Sequence, residues 1–284
     1  MWNNLGTIQE VTGIQDDVMA TQMGLSSQKF AFLKNNTSIL PFTSVNRIAD
    51  KLGINLDSIL CEELNTNDLQ NNFKGYFQSL LPDEYKRALG SKSFTVRNIL
   101  KIAKKYGFYK EIQTNFSLNE LTFDSNIDFE VSVQLASDLL DSISIRVPLT
   151  KEDYDLMSYG NAFHFADTEF GKILSECRTP LEIYEHLIRV VHHVEKNWSY
   201  KIEAADDKSI LISSYSNENI SDLYKRTDYS SYNFTKFRAA MACHLTKYIG
   251  LEGATTSITK SKHRGDSYDQ FRIDYSNLRP LSSA

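Results

Sequence analysis

Through the first 64 positions, apolar residues recur at three- and four-residue intervals in short blocks, each broken by Gly, Pro or an Asn-rich turn. That period belongs to amphipathic helices and predicts five of them, over 4–11, 16–23, 26–34, 43–52 and 56–64. Asp16 and Asp17 favour the positive end of the second helix. Ser26 or Ser27 caps the third, Thr43 caps the fourth, and Gly53 ends it. Val18, Met19, Leu25, Phe30, Leu33, Val45, Ile48, Ala49, Leu52, Ile54, Ile59 and Leu60 then fall at helical spacing and close one small core.

The pattern changes downstream. The polar, Asn-rich stretch 65–72 reads as a linker, and 115–126 as a second bend. A helix is expected over 93–106, ending at Gly107. Another is expected over 129–143, and a third over 180–197 with Thr179 as N-cap and Glu182 at the capping-box position. Apolar and polar residues alternate over 200–204 and 209–215 around Asp206-Asp207, and again over 254–260 and 268–275 around Arg264-Gly265-Asp266. Each pair predicts a hairpin. A helix over 234–249, stopped by Gly250, separates them. The fold class expected is a mainly α N-terminal domain followed by an α+β domain. Three stretches result: 1–68, a helical connector 69–125, and 126–284.

Within the first stretch, Asp16 to Phe30 carries Ala20 in mid-helix and Gly24 four residues later. A hydrophobe and two serines follow. The small Ala permits close helix approach and the Gly a tight turn. These residues, with the run Arg47-Ile48-Ala49-Asp50-Lys51-Leu52-Gly53-Ile54 and its closing helix, resemble the Cro and lambda-repressor type (XRE) of helix-turn-helix regulators from about Ile8 to Leu64. The first helix is shorter than in that family, and Lys34-Asn35-Asn36 replaces its common Glu-Arg-Gly. The resemblance implies double-stranded DNA as partner, with the third helix in the major groove. Ser27, Gln28 and Lys29 would then lie at base edges, Lys34, Asn35, Asn36 and Thr43 near phosphates, and Ser26 is a further DNA-binding candidate.

Charge complicates this picture. The 284-residue chain carries a net charge of -5. Residues 1–64 hold four basic residues against seven acidic ones. A lone head of that charge binds phosphate weakly, so a homodimer or a second basic surface is expected. From Lys86 to Lys110 there are eight basic residues and no Asp or Glu. Lys101, Lys104 and Lys105 cluster on one side of the helix expected there and are candidate backbone contacts. A solvated basic face is the alternative.

The last stretch is rich in aromatics. Phe163, Phe165, Tyr184, Tyr215, Tyr229 and Phe237 are candidates to line a pocket for a small apolar or amphipathic ligand, with simple core packing as the other reading. The helix leading to Tyr248-Ile249-Gly250-Leu251 and the hairpin after it look like the end of vinyl-reductase-like small-molecule-binding domains. Tyr268 and Asp269 stand where that group carries cysteines, so no metal is expected. The segment Thr179-Pro180-Leu181-Glu182 also looks like part of the ligand-sensing region of arabinose-regulator relatives.

Composition bounds the rest. Hydrophobic residues make up 41% and charged residues 24%, as in a soluble globular protein. No apolar run approaches membrane length, no secretion signal opens the chain, and Cys61, Cys177 and Cys243 read as reduced thiols. A cytoplasmic location follows as an expectation. His186 and His193 share a helix face but lack acidic or thiol partners at metal spacing. No phosphate loop, nucleophile elbow or zinc-protease motif is present, and no enzyme or cofactor is expected. The function expected is a transcription regulator whose C-terminal domain senses a small ligand, dimerises, or both. A regulator whose C-terminal domain binds a protein and no small ligand is the alternative.

Overall fold

The computed structural model describes residues 1–61, 64–87, 89–191, 196–217 and 232–281. It is predominantly helical with a small antiparallel sheet in the C-terminal part, a mixed α and β fold. The chain divides into two compact units. Unit 1 comprises 1–86 with 113–129, and unit 2 comprises 87–112 with 130–284. These units do not follow the three consecutive stretches that composition suggests, because short-range composition carries no information about which distant segments pack together.

Unit 1 is helical. It contains α1 (Trp2–Thr12), α2 (Asp16–Gln22), α3 (Ser27–Asn35), α4 (Phe42–Leu52), α5 (Leu56–Cys61) and α6 (Thr66–Ser79). Ser26 caps α3, its hydroxyl accepting from the Lys29 N–H at 3.2 Å. The fourth helix starts one residue before Thr43. Pro41 is its N-cap, and Thr43 sits inside the first turn instead of capping it. The stretch expected as a linker is α6. The Asn65 side chain caps it by accepting from the Asn67 and Asp68 amides, and Leu69, Phe73 and Phe77 bury its inner face against α1. Those three apolar residues, four apart, outweigh the surrounding asparagines. Phe77 is stacked on Phe73 at 5.6 Å between ring centroids and lies 6.2 Å from Phe129.

In unit 2, β1 (Leu89–Lys92) pairs antiparallel with β2 (Glu130–Ser132). The strands lead directly into α7 (Ser93–Lys105) and α10 (Val133–Arg146). The intervening chain carries α8 (Tyr109–Asn115), which spans the boundary at 112, and α9 (Glu120–Asp124), which belongs to unit 1. The helix expected from 129 therefore begins at Val133. Next come α11 (Lys151–Ala162), α12 (Glu169–Glu176) and α13 (Pro180–Val190). Thr150 and Asp153 form a reciprocal capping box on α11.

Both expected hairpins are present. Strands β3 (Trp198–Ala205), β4 (Ser209–Ser216), β6 (Thr255–Lys260) and β7 (Asp269–Asp274) form an antiparallel sheet in the order β3-β4-β7-β6. The central strands β4 and β7 are largely buried, and the edge strands β3 and β6 alternate. A two-residue pair, β5 (Leu251–Glu252) with β8 (Arg279–Pro280), flanks the sheet. Helix α14 (Tyr232–His244) packs on β6 and β7 and then tightens into a 3-10 turn, Leu245–Ile249, closed by Gly250. The core joins Leu174, Ile183, Tyr184, Ile210, Ile212, Leu245 and Ile273. Among the described residues no helix is long and apolar enough to cross a membrane.

Candidate functional site

Two features carry chemistry, one in each unit. In unit 1, α2 and α3 pack through buried Met19, Ala20 and Phe30. The turn between them holds Gly24 at φ 73°, a left-handed conformation in which a side chain would be strained. A Cβ there would also stand 2.0 Å from the Arg47 guanidinium. Ser26, Ser27, Gln28, Lys29, Lys34, Asn35, Asn36 and Thr43 are all exposed in this unit. Phe30 anchors α3 from behind, so the first turn projects Ser27, Gln28 and Lys29 outward from a fixed base. Lys34 is engaged locally. Its ammonium lies 2.7 Å from Asp16 and 3.2 Å from Gln9. Hydrogen bonds from Lys34 and Gln9 hold the Asp16 carboxyl below the usual carboxylate range.

The basic helix belongs to unit 2, as α7, and not to the unit that carries α3. Lys101 donates to the Asn98 side chain at 2.7 Å, and the Lys104 ammonium lies 4.3 Å from the Tyr109 ring centre. Lys105 donates to Asp153 at 2.7 Å.

The second feature is a cavity of about 160 Å³ inside unit 2. Helices α12, α13 and α14 line it, together with the inner faces of β3, β4 and β7 and the segment from β1 into α7. The wall is overwhelmingly apolar. Phe165 packs edge-on against both Phe94 and Phe170, with centroids 5.9 and 6.0 Å apart. Trp198, Phe234 and Phe237 form a second run, at 5.7 and 5.6 Å.

One charged group reaches this wall. Arg238 is 5% exposed, and its guanidinium lies 4.0 Å from the Trp198 ring centre. It donates to the Tyr200 hydroxyl at 3.1 Å, to the Ser214 hydroxyl, and to Asp269 at 3.4 Å. Asp269 in turn accepts from the Thr235 hydroxyl and the Lys262 amide. These partners fix the guanidinium at the wall. It leaves the cavity an apolar chamber with one polarised side.

Phe165, Tyr184 and Phe237, expected as ligand contacts, do line the cavity. Phe163 does not: its ring stacks on Tyr248 at 4.9 Å. Tyr215 is also elsewhere, its hydroxyl donating to Glu203 and its ring 4.9 Å from Tyr268. Tyr229 lies outside the described residues, as does His193. Sequence reasoning missed Phe94, Trp198, Arg238 and Phe271. Strand alternation was the available signal for one of them, since Trp198 shares a face of β3 with Tyr200. Among the described residues no group of three His, Cys, Asp or Glu side chains could hold a metal ion.

No family model matches the chain, and no curated protein does. Among solved structures it is similar to the Fe(II) unliganded H-NOX protein from K. algicida. The match has 9% identity and a TM-score of 0.46, and covers 68% of this chain and 100% of that one. A single-substitution mutant of the same protein matches at 12% identity and a TM-score of 0.46, over 65% and 96% of the two chains. At that identity and score the likeness assigns neither fold nor function.

Proposed function

We propose that the protein is a ligand-responsive DNA-binding regulator. Unit 2 takes up a small apolar or amphipathic molecule, and the first turn of α3 in unit 1 reads a DNA major groove. The observation that carries this reading is the apolar cavity. Protein interiors are packed with few voids larger than a water molecule, so a chamber of about 160 Å³ lined by aromatic rings is a place for a guest. A largely apolar chamber favours guests that bury apolar surface, with the charged Arg238 on its wall.

The DNA half of the reading rests on the exposed Ser27-Gln28-Lys29 turn held against a buried Phe30. Gln pairs with adenine through two hydrogen bonds, and Lys reaches guanine acceptors. The acidic balance of residues 1–64 calls for two heads on one site, hence a homodimer with half-sites about one helical turn apart. Ligand binding would bias the spacing of those heads by its differential affinity for two arrangements.

The test has two parts. The purified chain is used to select bound fragments from random duplex DNA, and the Gln28→Ala, Lys29→Ala variant is measured on the winning sequence. Loss of sequence preference is expected, and full retention overturns the groove assignment. Separately, melting is followed with indole, naphthalene and medium-chain alcohols. A saturable stabilisation by at least one, abolished when Leu187→Trp fills the cavity, supports sensing. No stabilisation by any of them overturns it.

A further inference from the structure

Helix α14 has two working faces. Phe237, Arg238, Met241 and Ala242 turn toward the apolar cavity, whereas Lys236, Ala239, Ala240, Cys243 and His244 turn toward a separate cleft of about 560 Å³. The far wall of that cleft comes from the first turns of α11, and its rim from β5, β6 and β8. We propose that this cleft binds a small polyanion carrying phosphate or paired carboxylate groups.

The charges favour an anion. Lys151, Lys236, Lys247 and Arg279 line the cleft, against Asp155 and Glu252. Glu252 is already taken by Arg279, at 3.1 Å. Among the described residues no carboxylate lies within 4.0 Å of the three lysine ammoniums. Two of these ammoniums are positioned by rings instead. Lys236 Nζ lies 4.9 Å from the Tyr232 centroid and 5.8 Å from that of Tyr154, and Lys247 Nζ lies 4.6 Å from that of Tyr159. A ring face orients an ammonium without neutralising it, so its N–H donors stay available. Cations gathered in a concave, low-dielectric wall focus their field and concentrate counter-ions.

The cleft wall also carries His244. It is 8% exposed, lines the same cleft, and its Nε2 is buried with no hydrogen-bond partner among the described residues. Its nearest carboxylate oxygen, on Asp155, is 3.8 Å away, beyond hydrogen-bond reach. An oxyanion seated among the three ammoniums would lie beside this imidazole on the cleft wall. Phosphate and paired carboxylates share this chemistry, and neither depends on the apolar cavity or on DNA.

The experiment is titration calorimetry on the full chain with pyrophosphate and, separately, citrate, in buffer of constant ionic strength. One equivalent is expected to bind with a Kd below about 1 mM for at least one probe. Citrate binding alone identifies a polycarboxylate site, pyrophosphate alone a phosphate site, and both a site that reads charge. The Lys236→Gln, Lys247→Gln double variant should weaken the better probe by about tenfold or more. Lys151→Gln, on an exposed side chain, provides a second variant should the double one fold poorly. Lys201→Gln, outside the cleft, should change nothing. Absence of binding by both probes, an undiminished affinity in the cleft variants, or an equal loss in Lys201→Gln overturns the proposal.

Discussion

The Lys105 ammonium sits 2.7 Å from a carboxylate oxygen of Asp153 whose side chain has no solvent exposure. Asp153 also accepts from the Tyr106 hydroxyl and from the Thr150 amide and hydroxyl, so one carboxylate fastens α7 to the start of α11. Burial opposes its ionisation. The hydrogen bonds from Lys105, Thr150 and Tyr106 prevail and hold the carboxyl below the usual range.

Asp153→Ala should cost about 1–3 kcal/mol, because it removes a helix cap and strands buried donors. A carboxyl with a depressed folded pKa stabilises the fold above its unfolded pKa of about 4 and loses that contribution as pH falls further. Acid unfolding followed by circular dichroism should therefore begin at higher pH in Lys105→Ala than in the parent. Charge reversal at Lys105 would set carboxylate against carboxylate and destabilise unit 2. A test of the α7 lysines against DNA should accordingly use Lys101→Gln with Lys104→Gln. Unchanged operator affinity at low salt would remove them from the DNA surface.

His244 gives a second pH dependence. Burial, with Lys247 nearby, holds its pKa below the ordinary 6.5. The unfolded chain then takes up a proton more readily than the folded one, so stability is present above about pH 6.5 and declines as pH falls below it. Urea midpoints compared at roughly pH 8 and pH 5.5 should drop more for the parent than for His244→Gln. Equal drops would contradict the assignment.

Gly171, in the first turn of α12, approaches the backbone. A Cβ at this position would stand 2.1 Å from the Phe165 carbonyl oxygen and 2.5 Å from that of Ala166. Neither atom can rotate away, so Gly171→Ala must displace α12 or the segment carrying Phe165. A cost of about 1–3 kcal/mol is expected, as for overpacking elsewhere, read as a lower urea midpoint. Because Phe165 and Phe170 both line the cavity, guest stabilisation should fall with it.

Phe77 is fully buried between Phe73 and Phe129. Truncation to Ala should cost about 3–5 kcal/mol. If α6 were a solvated linker, the same substitution would change the melting temperature little. The measurement thus separates the two readings directly.

Much of the architecture could be read locally. The periodicity of residues 1–64 places both ends of α1 to α4 within two residues and the start of α5 at Leu56, though α5 ends at Cys61 and not at 64, and alternation locates both hairpins of the four-stranded sheet, because those signals lie within a single element. What failed depended on distant partners. Helix α6 was masked by Asn67, Asn71 and Asn72, which dilute a four-residue apolar spacing. Strands β1 and β2 are too short to show alternation, and they pair across some forty residues of intervening chain. The basic face of α7 was visible, but its anchoring carboxylate lies 48 residues away. Aromatic content pointed to a pocket, yet which rings met there depended on how β3, β7 and α14 came together. Phe163 and Tyr215 have the same composition signal as Phe165 and Phe237 and end up facing other neighbours.

The main chain passes between the two units three times, after residues 86, 112 and 129. No single scission therefore yields either one intact. Cleavage between the units at any one crossing leaves a fragment that carries parts of both, and any fragment ending at residue 86 lacks the 113–129 strip that belongs to its own unit. Dissecting this protein into independently expressed halves calls for re-joining discontinuous segments, not for choosing a boundary.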